Sequence, residues 1–138
     1  MQETAYGLKV EMPVAYEEAV ERATAALKAE GFGVLTTIDV KQTMKQKLDK
    51  DFRKYVILGA CNPAIAYEAL SRETELGLLL PCNVIVYESG PAKSVVATIA
   101  PLVSLSRAGN EALGPLGEQV DGKLRRVLAS LETEAQGA

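Results

Sequence analysis

Two apolar runs, each marked by the same dipeptide, limit what this chain can fold into. Val56-Ile57-Leu58-Gly59-Ala60-Cys61 leads into Asn62-Pro63, and Leu78-Leu79-Leu80-Pro81 leads into Cys82-Asn83-Val84-Ile85-Val86-Tyr87. Both are far shorter than the roughly 20 apolar residues that span a bilayer. Both lack polar alternation, so each reads as a strand buried on both faces, and the first as a central one. The strands are predicted over 53–61 and 78–88.

The rest of the chain supplies partners for them. Residues 4–12 alternate, with Thr4, Tyr6, Leu8, Val10 and Met12 on one face, which predicts a half-buried strand ended by Pro13. Tyr16, Ala19, Val20, Ala23, Ala26 and Leu27 follow helical spacing over 15–30, without a capping residue at the start and with Gly31 as the stop. A second strand is predicted over 32–40, with Phe32, Val34, Thr36, Ile38 and Val40 on one face. A short polar helix follows over 41–50. Asn62-Pro63 is a compact helix start, because asparagine accepts from the first free amides and proline lacks the N–H that would go unpaired. That helix stops by Gly77. The loop 89–92 joins the strand ending at Glu88 to a fifth one over 93–100, closed by Pro101. A looser turn precedes a last helix beginning near Pro115, whose stripe Leu113, Leu116, Val120, Leu124, Val127 and Leu131 recurs at three- and four-residue steps. Residues 136–138 are expected to fray. The order β-α-β-α-β-α-β-β-α predicts an α+β two-layer sandwich, mainly antiparallel, with helices on one face. One domain of 138 residues, with an ordered core from about 4 to 132, is large enough to fold without staples.

Composition narrows the chemistry. The formal charge of −3 argues against nucleic acid or an anionic membrane as partner. The N-terminus lacks a basic lead and an apolar signal core, which gives a cytoplasmic expectation and reduced thiols. The chain has no histidine. His-dependent triads and His-containing zinc sites are therefore excluded, and no catalytic constellation stands out.

Cys61 and Cys82 are the only cysteines. Cys61 precedes a helix start, where the dipole favours thiolate, so a low-pKa thiol is one reading and a small buried hydrophobe the other. Their spacing matches no zinc or redox motif, although the two remain the metal candidates. If their strands were parallel neighbours, the thiols would stand on the order of 20 Å apart. If antiparallel, both Cys-Asn pairs face one locus. Asn62 has a capping role. Asn83, early in an apolar strand, needs a partner or costs about 1–3 kcal/mol. The basic run Lys41, Lys45, Lys47, Lys50, Arg53 and Lys54 reads as a solvated face, with an anion patch as the sharper alternative. Asp39 is a lone carboxylate at a strand end.

The segments Ile57-Leu58-Gly59-Ala60-Cys61-Asn62-Pro63 and Leu78-Leu79-Leu80-Pro81-Cys82-Asn83-Val84 resemble the family called domain of unknown function 302. The likeness extends to Gly31-Phe32-Gly33-Val34-Leu35-Thr36, Ile38-Asp39-Val40-Lys41, Tyr55, Ala66 and Leu70, and spans about Tyr6 to Leu131. It implies a small α+β protein, dimeric, with no established activity. By motif match it points to Asp39, Lys41, Cys61, Asn62, Pro63, Pro81, Cys82 and Asn83. The chain departs from the pattern at Ala15, where relatives often carry a capping residue.

Three functions compete at this stage. The first is a homodimer binding a small ligand or ion near the Cys-Asn segments, its stripe 113–131 either pairing with a second copy or packing on the sheet. The second is a thiol-dependent redox or sulfur-handling protein using Cys61 and Cys82. The third is an interaction module without a site. No cofactor is indicated.

Overall fold

The computed structural model describes residues 1–137. Six strands form one antiparallel sheet: β1 (Gln2–Glu3), β2 (Gly7–Met12), β3 (Gly33–Asp39), β4 (Tyr55–Cys61), β5 (Cys82–Gly90) and β6 (Lys93–Ile99), in the order β1-β2-β6-β5-β4-β3. The two apolar strands β4 and β5 are interior neighbours in the sheet, but they are not buried on both faces as their composition suggested, because the helices cover one face only. Five helices accompany them: α1 (Tyr16–Ala29), α2 (Val40–Leu48), α3 (Pro63–Arg72), α4 (Pro101–Ser106) and α5 (Gly114–Gly137). The predicted α+β class and element order hold, with two short additions, β1 and α4. Among the described residues no helix is long and apolar enough to cross a membrane.

The layers follow from the period-two pattern. Leu8, Val10 and Met12, Val56, Leu58 and Ala60, and Val84 and Val86 are buried, and with Ala19, Ala23 and Leu27 of α1 and Leu124, Val127 and Leu131 of α5 they form the main core. The alternate residues Tyr55, Ile57, Ile85, Tyr87 and Ala97 stay half-exposed on the other face. There Tyr55 and Tyr87 stack at 5.5 Å, with the Arg53 guanidinium 5.8 Å from the Tyr87 ring centre. The stripe 113–131 therefore packs inward. Leu113 and Leu124 are 1% and 0% exposed, so it cannot also be the surface that meets a second copy.

Local chemistry explains the boundaries. Ala15 caps α1 without a side-chain hydrogen bond, and Gly31 takes φ +85° just past its end. The first strand starts later than predicted because the Thr4 N–H donates to the Gly7 carbonyl at 2.8 Å, folding Gln2–Glu3 back onto β2. β3 carries a bulge between Val34 and Thr36. The bulge shifts the alternation, so Thr37 pairs with Leu58 while Thr36 pairs with Gly59, and Leu35 is left 67% exposed. The stretch predicted as the start of the fourth strand is a 3-10 segment, Thr74–Leu79, followed by a cis Leu80–Pro81 bond. Pro101 does not merely end β6. It occupies the first turn of α4, the same use of proline as in α3. The expected fraying reaches Ala138, which lies outside the described residues; α5 runs through Gly137.

A second, smaller cluster sits beside the main core. Ala69, Leu76, Leu113 and Leu116 are buried together, with Ile65, Leu80, Leu105 and Ala108 packed against them.

Candidate functional site

Register decides where the cysteines lie. In the antiparallel β4–β5 pair Ala60 stands opposite Cys82 and Gly59 opposite Asn83. Cys61, the last residue of β4, and Cys82, the first of β5, are therefore at the same end of the sheet. Both border one cavity of about 320 Å³. Its wall draws on both cores, with Phe32, Ala60 and Val120 from the larger and Ala69, Leu76 and Leu116 from the smaller. The cavity lies at their seam, bordered by α3, the 3-10 segment and α4. Gly59 is the close-approach point behind it. A Cβ there would stand 2.1 Å from Thr36 Oγ1 and 2.9 Å from the Pro81 ring.

The wall is almost wholly apolar. Thr36, Asn62, Ser104 and the two thiols are its polar side chains, and among the described residues no Asp, Glu, Lys or Arg lines it. Asn62 accepts from the Ile65 N–H at 3.3 Å and so caps α3. Pro63 follows in the first turn of that helix.

Both cysteines are free thiols. The helix start at Asn62 suggested a lowered pKa for Cys61, but burial pushes that thiol up. No lysine or arginine lines the cavity to favour a thiolate. Cys82 goes further, from an ordinary 9.0 to about 11, by burial first and then by the neighbouring Cys61 charge. The folded state thus holds the Cys82 proton more tightly than the unfolded chain does. Its contribution to stability is fully present below pH about 9 and is lost as pH rises toward about 11. The slope is about 1.4 kcal/mol per pH unit in that window. Urea midpoints are expected to fall more steeply there for the native sequence than for Cys82→Ala, and equal slopes would refute the assignment. Alkylation of native Cys82 at pH 8 is expected to run far slower than that of an exposed thiol.

The remaining sequence candidates do not join this site. Asn83 is solvent-exposed on the uncovered face of the sheet, so water can satisfy its amide and the cost expected for a buried one does not arise. It borders a separate groove with Tyr6, Tyr55 and Tyr87. Asp39 stands opposite Val56, whereas Gly33 stands opposite Cys61, so Asp39 is at the other end of β3. It caps α2, accepting from the Gln42 N–H at 2.9 Å, while Lys41 Nζ donates to the Phe52 carbonyl at 2.9 Å. Among the described residues no group of three or more metal-ligating side chains forms.

Some wall residues carry no site signal in the sequence. Ala66 and Leu70 stand there only as part of the family likeness, and α3 turns both to the cavity. Ser104 and Leu105 belong to α4, which a second proline at a helix start, Pro101, could have signalled.

Residues 8–131 match the family described as Domain of unknown function DUF302. The chain belongs to that family. Its fold is similar to the crystal structure of an uncharacterized conserved DUF302 protein from Bacillus stearothermophilus, with TM-score 0.82 and 28% identity, over 91% of this chain and 98% of that one. No curated protein matches the sequence. The DUF302 pattern residues thus divide by position. Cys61, Asn62, Pro81 and Cys82 border the cavity, and Asp39, Lys41 and Asn83 lie elsewhere.

Proposed function

We propose that this DUF302 protein is a binding protein whose cavity at the Cys-Asn end of the sheet takes a small, uncharged, largely apolar molecule. One observation carries the reading: a cavity of about 320 Å³ whose wall contains both thiols and, among the described residues, no charged side chain. An ion placed there would lose its hydration without a countercharge, a cost of several kcal/mol, whereas an apolar molecule gains about 25 cal/mol per Å² of surface buried. Small-molecule sites commonly combine such a wall with a few polar groups. Here those are Thr36, Asn62 and Ser104.

Thiol chemistry is the second reading, favoured by the placing of Cys61 and Cys82 in one wall. The raised pKa of both thiols weighs against it, since the thiolate is the nucleophile. We infer a homodimer that would form across the uncovered sheet face, where Ile57, Ile85 and Ala97 remain half-exposed beside the Tyr55–Tyr87 stack. A cytoplasmic setting, which keeps both thiols reduced, accompanies this reading.

Native mass spectrometry after mild purification tests ligand and assembly together. A dimer of the 14.7 kDa chain carrying a small neutral adduct is the expected result. Titration with the neutral dye N-phenyl-1-naphthylamine supplies the second arm. A bare monomer that also fails to bind the dye would sink the proposal.

A further inference from the structure

We propose that the ligand is a single unbranched aliphatic chain, inserted end-on with its polar terminus outward; this rests on the binding reading above. The cavity opens through a collar of exposed leucines. Leu35, Leu70 and Leu79 line it while remaining 67%, 38% and 36% exposed. They come from three different places: the β3 bulge, the outer part of α3 and the 3-10 segment. Leu78, next to Leu79, is 86% exposed. Leaving so much aliphatic surface in water is unfavourable for a free-standing protein, and a collar around a cavity mouth marks a surface that something apolar covers.

The occupant follows from the make-up of that apolar surface. It runs without a charged residue from Ala60 and Val120 in the core out to Leu35 and Leu79 at the rim. A compact molecule would fill the interior and leave the rim wet. A strongly polar one would find few partners, because Thr36, Asn62, Ser104 and the two thiols are the only polar side chains among the described residues of the wall. A chain satisfies both parts, since its inner methylenes replace water in the cavity and its outer ones cover the collar. A methylene fills about the volume of one water, roughly 30 Å³, so the cavity of about 320 Å³ takes about ten of them.

The test is competition of 1-alkanols from six to fourteen carbons against N-phenyl-1-naphthylamine on the full chain. Affinity is expected to rise about fourfold per methylene up to about ten carbons, then more shallowly as the collar covers only one side of the chain. The double substitution Leu35→Ser, Leu79→Ser is expected to abolish the shallow rise and to weaken tetradecanol by a larger factor than hexanol. Circular dichroism checks that this variant folds. Dye binding without dependence on chain length would overturn the chain proposal and leave the binding reading standing; failure of the dye as well would overturn both. Co-sedimentation with phosphatidylcholine vesicles, lost in the double variant, together with no alkanol competition, would make the collar a membrane contact and also overturn the proposal.

Discussion

Leu124→Ala is expected to cost about 2–5 kcal/mol of unfolding free energy, the range for truncating a fully buried leucine. Leu124 is 0% exposed in the main core, where α5 lies over the sheet against α1. Truncation there removes transfer energy and leaves a void that close-packed neighbours fill only in part. The site of Leu124 also separates two accounts of the C-terminal stripe. If the stripe seals the core of one chain, the loss is intrinsic. Urea midpoints of the variant then depend on protein concentration no more than those of the native sequence do. If it joined two chains, the variant would gain a steep concentration dependence. Denaturation at two concentrations tenfold apart reads the difference, and a loss below about 1 kcal/mol would contradict the packing described here.

Ala66→Trp should block the cavity and weaken dye binding by about a hundredfold or more, equivalent to roughly 2.7 kcal/mol. Ala66 lies on the face of α3 that lines the cavity, and an indole there would occupy much of its space. Overpacking of such a site costs stability too, roughly 1–3 kcal/mol, so the folded fraction must be measured alongside. The native chain has no tryptophan, which makes the new indole a reporter of its own surroundings. A blue-shifted emission with dye binding lost is the expected pair. Glu68→Trp, on an exposed position of the same helix, is the control and should leave binding intact. Full dye affinity in a folded Ala66→Trp protein would place the bound molecule elsewhere.

Much of the scaffold was legible because it rests on short-range rules. Alternation at Leu8, Val10 and Met12, helical spacing at Ala19, Ala23 and Leu27, and the Asn62-Pro63 start each draw on contacts within one element. The errors fell where a local pattern is ambiguous. The bulge at Leu35 cannot be told from regular alternation, because both put apolar residues at similar spacing. Leu78–Pro81 reads as strand by composition, yet forms the 3-10 segment and turn that wall the cavity.

The candidate site divides in the same way. The sequence alone marked Cys61, Asn62 and Cys82 and accounted for Asn62 as a cap, since capping needs only neighbours along the chain. It left a low-pKa Cys61 open beside a small buried hydrophobe, because the helix start is visible in sequence and the desolvating wall is not. Tertiary structure decided that β4 and β5 are antiparallel neighbours, which brings the two thiols to one end of the sheet. It also sent Asn83 to the open face and Asp39 to the far end of β3, and turned the stripe 113–131 inward. Strand pairing and burial are properties of surfaces far apart in the chain. They fix the cavity between the two cores and the uncharged, apolar wall around it.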